Sequence, residues 1–354
     1  MDQSETIIII TPGFPRDELD TTCLPAHQNF VKSLNRVCPR LKIIIVSIQY
    51  PPREDCYQWH GNSVISLNGK RIPKIFRPLL WLKIYQQIKK INRPNILGIL
   101  SFWCLEGAFV GSCFAKRNNL LHLSWLTGQD ARKGNLFIKL IKPKAGALVA
   151  MSDLLVDEFE KNYFIRPQYV VPNGINTGAF PDQKTEKSID LFAAGSLIPL
   201  KQYSMFIDVV AELVKVKPLF SALLCGAGPE EEMLKKKIAS LKLENNLKLT
   251  GEVPHEQVLV LMRQSKVFLH PSIYEGYSTV CLEALYAGCH VVSFISPEKI
   301  KVSHWHIVMT QSEMIAICKN LLNESDFNSV LVHDMDDCAR KMIEIFDYKE
   351  TITL

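Results

Sequence analysis

Two kinds of hydrophobic pattern alternate along the chain. Short runs of Ile, Val and Leu that stop at a Gly or Pro predict buried strands, and segments with an apolar residue every three or four positions predict helices. The clearest predicted strands are Thr6–Ile10, Leu41–Ile48, Asn95–Phe102, Asp190–Ala194 and Phe220–Cys225. Strands that alternate with helices in this way predict an α/β fold, here with two doubly wound halves.

The most regular pattern covers residues 266–294, KVFLHPSIYEGYSTVCLEALYAGCHVVSF. It predicts a strand, a loop, a helix and a second strand. The first strand is Lys266–His270, and a proline follows it. Ser278 or Thr279 is predicted to cap a helix with apolar residues on one side, and Gly288 ends that helix.

Two carboxylates lie within this stretch. Glu275 precedes the predicted helix and Glu283 lies in its early turns. The first N–H groups of a helix lack partners and its dipole is positive there, so this terminus favours a phosphate. Glu275 can then face a sugar beyond the phosphates, and Glu283 can accept hydrogen bonds from ribose hydroxyls. The N–H donors would come from Gly276, Tyr277, Ser278 and Thr279. The alternative is a helix whose acidic first turn merely complements its dipole.

Size and composition predict two domains of ordinary size. The chain has 354 residues, of which 47% are hydrophobic and 22% charged, so it can bury real cores. Ten cysteines occur without C-x-x-C pairs, which favours reduced thiols in a cytoplasm. The residues MDQSE lack a basic n-region, and no apolar run approaches 18 residues. We therefore expect neither a signal peptide nor a spanning helix.

Positive charge is concentrated in the first half. Residues 1–170 carry 23 Lys and Arg against 13 Asp and Glu, and residues 56–129 contain a single acid, Glu106. The densest basic part runs from Lys70 to Arg93. Such a segment predicts contact with an anionic membrane surface, the alternative being a solvated face of a basic domain. Nucleic acid is not favoured, because no base-reading motif is present. The apolar residues interleaved with the charges are Trp81, Leu82, Ile84, Tyr85 and Ile88.

Residues 271–288 resemble the E-x7-E signature of family 4 retaining glycosyltransferases. They read P-S-x-x-E-G, then six further residues, then E-A-x-x-x-G. The resemblance covers residues 100–294 well and the first 100 weakly. It implies the GT-B architecture, in which two Rossmann-like domains face a cleft. The implied domains are an acceptor-side domain, residues 1–170, a nucleotide-sugar-binding domain, residues 171–330, and a C-terminal helix, residues 331–354, that packs back on the first domain.

The resemblance also implies an activity. A sugar would pass from a nucleotide-diphosphate-sugar to an acceptor hydroxyl with retention of configuration, without a metal or other cofactor. Glu275 and Lys201 would be the catalytic residues, Glu283 would hold the ribose, and Lys201 with the helix N-terminus would hold the diphosphate. The acceptor would be a glycan or a lipid-linked glycan, as in polysaccharide or glycolipid synthesis. We expect a cytoplasmic protein that is peripheral on the inner face of the membrane.

The resemblance also assigns roles to positions outside the E-x7-E stretch. Gly13 follows the first predicted strand. It is either a plain turn glycine or a residue whose backbone closely approaches the donor phosphates. Gly251 and Val253 match the region that holds the base. The resemblance places Thr127 and Asp130 on the acceptor side.

Two departures from the family pattern motivate other hypotheses. Ser196 stands where family members commonly have Arg, and Thr127 stands where many have His. A Ser offers a neutral hydroxyl in place of a cation. The chain could therefore be a non-catalytic sugar-nucleotide-binding or partner subunit. A sugar-nucleotide epimerase of the same fold is a third hypothesis, against which Lys201 and the E-x7-E spacing argue. The sequence does not name the sugar, the base or the acceptor.

Overall fold

A computed structural model describes residues 5–91, 95–181, 185–297 and 299–348. The chain divides into two compact units. The first unit consists of the chain up to Gly174 together with the residues from Met335 onward, and the second unit is Ile175–Asp334. Each unit contains its own sheet and its own hydrophobic core.

The first unit is built on a twisted sheet to which eight strands of the described residues belong. They are β1 Thr6–Gly13, β2 Lys42–Tyr50, β3 Glu54–Trp59, β4 Asn62–Leu67, β5 Ile96–Phe102, β6 Leu121–Leu126, β7 Leu148–Ala150 and β8 Tyr169–Val170. Their order in the sheet is β3-β4-β2-β1-β5-β6-β7-β8. Only the edge pair β3–β4 is antiparallel among the described strands, so crossover helices cover the rest.

The helices of this unit are α1 Pro25–Val37, α2 Arg77–Lys90, α3 Glu106–Asn118, α4 Leu136–Ile141 and α5 Asp153–Tyr163. Ser152 starts α5 because its hydroxyl accepts the N–H of Leu155, 3.2 Å away. Ile8 and Ile10 of β1 pack in one core with Leu80 of α2. The sheet is thus buried by helices at its centre, as the uninterrupted Ile run of β1 predicts.

One side of α2 faces this core. Ile84 and Ile88 are fully buried, and Trp81 and Tyr85 pack against the same cluster, whereas Leu82 is exposed. Ile84 and Ile88 are therefore covered by the sheet, and contact of the basic segment with a membrane stays a prediction. Arg93, at the end of that segment, lies outside the described residues.

The second unit contains a parallel sheet of six strands within the described residues: β9 Ile189–Ala194, β10 Ala222–Cys225, β11 Leu247–Gly251, β12 Ser265–His270, β13 His290–Ser293 and β14 Trp305–Ile307. The helices are α6 Tyr203–Val216, α7 Glu231–Ser240, α8 His255–Arg263, α9 Thr279–Tyr286 and α10 Gln311–Leu321. The sheet order is β11-β10-β9-β12-β13-β14. Cys281, Leu282 and Leu285 of α9 are buried, as predicted.

The order of the second sheet fixes where a ligand can bind. β10 and β11 follow on one side of β9, and β12 then lies on the other side of β9. In open α/β sheets ligands bind beyond the carboxyl ends of the strands at such a switch point. The loops that follow β9 and β12 are those of Lys201 and Glu275. In the first sheet the corresponding point lies between β1 and β5.

The last helix, α11 Met335–Glu344, belongs to the first unit and packs on α1. Arg36 of α1 forms an ion pair with Asp336 at 2.6 Å. Phe346, after α11, packs against Gly98, where a side chain on the glycine would clash with its ring. Of the predicted C-terminal element, residues 349–354 lie outside the described residues.

The ten cysteines are all described and all free. No helix in the described ranges has the length and the hydropathy that a membrane span needs.

Two glycine turns of the second unit touch each other directly. Gly226 follows β10 with φ of 143°, and a Cβ atom there would lie 1.9 Å from the carbonyl oxygen of Gly195. The N–H of Gly195 donates to the carbonyl of Cys225 at 2.9 Å. This contact fixes the loop that leads to Lys201 against its neighbour.

We expect Gly226→Ala to lower the free energy of unfolding by at least about 2 kcal/mol, through overpacking and a disfavoured φ. Gly251→Ala is the matched control, because its φ of 73° is also positive but the space around it is open. Gly251→Ala should lower the free energy of unfolding by only about 1 kcal/mol. Urea unfolding of both variants measures this, and equal losses would contradict the role of the contact.

Candidate active site

Lys201 and Glu275 meet at the switch point of the second sheet. Lys201 ends a short 3-10 turn after β9, and Glu275 lies in the loop between β12 and α9. The Lys201 Nζ lies 2.5 Å from Oε1 of Glu275, and both side chains are largely buried. Residues 74 positions apart in the sequence thus form a charged pair where the topology favours a ligand.

His270, the last residue of β12, is the second partner of Glu275. Its Nε2 lies 2.8 Å from the same Oε1, and the ring is almost completely buried. The hydroxyl of Ser278 lies 3.3 Å from this nitrogen. Burial lowers the pKa of His270 despite the carboxylate beside it. Burial thus favours the neutral ring, and a neutral ring bonds to the carboxylate by donating Nε2–H.

The environment keeps Glu275 ionised. Burial alone would raise its pKa, but the hydrogen bond from His270 and the charge of Lys201 outweigh that effect and lower the pKa to about 2. Both contacts use one carboxylate oxygen, Oε1. The site therefore holds a fixed negative charge at neutral pH.

Glu283 makes a separate contact on α9. It is buried, and its Oε1 lies 2.8 Å from Nε2 of His255, the first residue of α8. His255 follows Val253 and the glycine turn at the end of β11. The second carboxylate of the E-x7-E pair is thus held in place by a histidine from the neighbouring loop.

The turn before α9 differs in two respects from the sequence prediction. Ser278 occupies the N-cap position, but its hydroxyl does not cap the helix. It lies against His270 instead. The N–H of Thr279 donates to the carbonyl of Tyr277 at 3.1 Å, so it is not an open donor for a phosphate. The prediction for the amides of Gly276, Tyr277 and Ser278, all buried residues, stays a prediction.

The remaining predicted donor residues of this unit lie in the neighbouring turns. Ser196 is exposed and follows Gly195 directly. The half-buried Gly251 accepts the N–H of Gly226 at 2.9 Å, and Val253 is half-buried two residues later. The hydroxyl of Tyr203 is buried near Gly195 and has no hydrogen-bond partner among the described residues.

Three of the predicted site residues belong to the first unit. Gly13 is buried at the end of β1. Thr127 is half-buried after β6. Asp130 is buried, and its oxygens accept N–H groups of Thr127, Gly128 and Cys104 at 2.9 to 3.1 Å. These bonds tie the loop after β5 to the loop after β6, which is a structural role.

Within the described parts of the chain, no three His, Cys, Asp or Glu side chains are grouped so that they could hold a metal ion.

Residues 177–298, which include all of these second-unit groups, match the family model of glycosyl transferases group 1. The matched residues all belong to the second unit. The fold agrees over the chain, which superimposes with a TM-score of 0.68 on Anabaena HepE, solved with UDP and glucose, at 14% identity and 97% coverage of both chains. Together with the two parallel α/β units, this shows the predicted GT-B fold.

Curated relatives of the chain include transferases of N-acetylglucosamine. The 2-deoxystreptamine N-acetyl-D-glucosaminyltransferase of Niallia circulans is 29% identical over 99 residues, 28% of this chain and 25% of that enzyme. The phosphatidylinositol N-acetylglucosaminyltransferase GPI3 subunit of Saccharomyces cerevisiae is 23% identical over 203 residues, 50% of this chain and 44% of that protein. The chain thus spans less than half the length of these two relatives.

Sequence reasoning missed two histidines of the second unit. His270 was predicted only as the end of a buried strand, and His255 was given no role. The signal for His270 is its place at the carboxyl end of the strand beside the switch point, where polar side chains face ligands. His255 has a weaker signal, because its contact with Glu283 depends on the packing of α8 on α9.

The ion pair makes stability depend on pH. The folded-state pKa of Glu275, about 2, lies below its ordinary value of 4.5, so the stability that the ionised carboxylate contributes is present above pH 4.5 and is lost as the pH falls toward 2. Glu275→Gln lacks this titration. We expect the difference in unfolding free energy between the native chain and the variant to shrink between pH 5 and pH 3. A difference that stays constant in urea titrations across this range would refute the assignment.

Proposed function

We propose that the protein is a retaining glycosyltransferase that moves a sugar from a nucleotide-diphosphate-sugar to an acceptor hydroxyl without a metal ion. The observation that supports this best is the cluster of Lys201, Glu275 and His270 at the switch point of the second sheet. It lies next to α9, which carries Glu283. A fixed carboxylate beside a cation suits a reaction in which a sugar becomes positive and a diphosphate leaves.

Each group has a role in this proposal. Lys201 neutralises the leaving diphosphate, with help from the turn that starts at Gly276. Glu275 supports the donor sugar through Oε2, since Oε1 is held by Lys201 and His270. Glu283 accepts hydrogen bonds from the ribose. A phosphate oxygen of the donor assists removal of the acceptor proton, so no further base is required in the protein.

We propose a UDP-sugar as donor and a glycan or lipid-linked glycan as acceptor. HepE was solved with UDP and glucose, and the relatives named above transfer N-acetylglucosamine. In this proposal the first unit binds the acceptor near Thr127 and Asp130, whereas Gly13 approaches the phosphates of the donor. Polysaccharide or glycolipid synthesis at the cytoplasmic face of a membrane is the corresponding setting.

The first test is thermal unfolding with UDP, GDP and ADP and with their glucose and N-acetylglucosamine derivatives. A ligand that binds only the folded state raises the midpoint by mass action, by an amount equivalent to about 2.7 kcal/mol at 100 times Kd. We expect a rise with the UDP compounds that is lost in Glu283→Ala. No rise with any compound at millimolar concentration would overturn the proposed donor site.

The non-catalytic hypothesis keeps one observation in its favour, the exposed Ser196 in place of a cation. Release of UDP from the bound UDP-sugar separates the two functions. A transferase should release UDP, and Lys201→Ala should slow this by a factor of about 100 or more, as for loss of one group that stabilises developing charge. Nucleotide binding with no UDP release for any acceptor would favour the partner subunit.

His255 should act as a positioning residue for the ribose. If its bond to Glu283 orients the carboxylate, His255→Ala should raise KM for the donor about tenfold with little change in kcat. His255→Asn, which keeps a donor group, should recover part of the affinity. A merely structural role would lower the thermal midpoint and leave the preference for UDP over 2′-deoxy-UDP unchanged. In the positioning role this preference falls in His255→Ala.

A further inference from the structure

The first unit contains a pocket that the proposed donor chemistry does not use. It has a volume of about 450 Å³ and lies beyond the carboxyl ends of β1, β2 and β5, at the switch point of the first sheet. Its walls are mainly apolar and aromatic. They include Ile10, Ile48, Trp81, Phe102, Trp103 and Phe137. Such walls suit a hydrocarbon or an aromatic ring better than a sugar.

The one carboxylate in the pocket wall is already neutralised. Glu106 accepts hydrogen bonds from Arg77 at 2.9 Å, from Trp81 at 3.3 Å and from Gln49 at 3.4 Å. Arg77 also donates to the carbonyl of Gly69 at 2.7 Å. The pocket therefore offers no open anion to a ligand, whereas Lys74 in its wall is an exposed cation.

The segments that border the pocket expose large apolar side chains. Lys74–Phe76 and α2 form one border, and α4 forms the other. Leu136 lines the pocket and is 69% exposed, and Leu140 lies one turn later on the same face of α4. Six apolar residues of these segments have exposed fractions between 53% and 80%. These residues are Ile75, Phe76, Leu79, Leu82, Leu136 and Leu140.

The same two segments are strongly basic. Residues 68–90 and 131–144 contain twelve Lys and Arg and no Asp or Glu. Lys83 is paired with Glu54 from the neighbouring hairpin, and Arg77 with Glu106. Lys70, Arg71, Lys74, Lys133 and Lys139 are exposed. Apolar side chains surrounded by cations match the interface of a bilayer that contains anionic lipids.

We propose that this surface docks on an anionic lipid bilayer and that the pocket takes up one hydrocarbon chain of a lipid. The six exposed apolar residues enter the interface, the Lys and Arg side chains contact the lipid phosphates, and the chain lies against Trp81 and Phe137. The surface differs from the one predicted from the sequence, since the buried side of α2 takes no part. The proposal does not depend on glycosyl transfer.

The docking test uses the full chain and sedimentation with vesicles of phosphatidylcholine, alone or with 30 mol% phosphatidylglycerol. We expect binding only with the anionic lipid. Ile75→Glu and Leu136→Glu should each weaken it more than tenfold, whereas Leu19→Glu should not, because Leu19 is 91% exposed in the same unit but belongs to neither border of the pocket. Equal loss in all three variants, or no binding to either vesicle, would overturn the proposal.

Uptake of a chain is tested with vesicles whose phosphatidylglycerol carries bromine on the acyl chains. Bromine quenches nearby tryptophans, and Trp81 and Trp103 line the pocket, whereas Trp59 and Trp125 are buried elsewhere in the unit. We expect quenching that the double variant Trp81→Phe/Trp103→Phe largely removes. Binding without quenching would refute the pocket part of the proposal. Quenching that survives in the double variant would refute it as well.

The docking surface and the proposed donor site can be tested independently of each other. Leu136→Glu leaves the second unit untouched, so its thermal response to UDP-sugars should equal that of the native chain. Loss of vesicle binding with an unchanged UDP response supports the docking surface. A native chain that binds anionic vesicles but responds to no nucleotide would leave the docking surface intact and remove the proposed donor site.

Discussion

The buried carboxylate of Glu275 is the constraint around which the second unit is arranged. A charge of this kind is costly to bury unless it is paired and hydrogen-bonded. Lys201 supplies the charge from the loop after β9, and His270 supplies the hydrogen bond from the end of β12. The contact of Gly195 with Gly226 holds the first loop in place. The pair therefore couples two central strands of the sheet at the position where the topology places a ligand.

The same topology produces two different sites in the two sheets. In each sheet, successive strands are added first on one side of the first strand and then on its other side. This change of side lies between β1 and β5 in one unit and between β9 and β12 in the other. In the second unit the loops at that point carry Lys201 and Glu275. In the first unit the same position holds an apolar pocket whose only wall carboxylate, among the described residues, is bound by Arg77. The fold decides where ligands can bind, and the loop residues decide which ones.

The sequence predicted most of this architecture because its strands are continuous apolar runs and its turns carry Gly and Pro. The GT-B fold, which the resemblance carried by residues 266–294 implied, was predicted correctly. The burial of one side of α2 was not predicted. An amphipathic helix has the same 3.6-residue pattern whether its apolar side meets a sheet or a membrane, so burial of Ile84 could not be read from spacing. The partners of Glu275 and Glu283 were missed because they depend on packing between elements distant in the chain.

Ser196 stands where the family pattern has Arg, and in the proposed function this gives Lys201 a larger share in neutralising the diphosphate. The Lys201 ammonium lies 2.5 Å from Glu275. Turning the ammonium toward the phosphates would leave Glu275 with the bond from His270 and free it to face the positive sugar. His270 is suited to this because its ring lies within hydrogen-bond distance of the carboxylate and burial favours the uncharged ring. In the proposed function, the diphosphate of the donor is the anion that competes with Glu275 for Lys201.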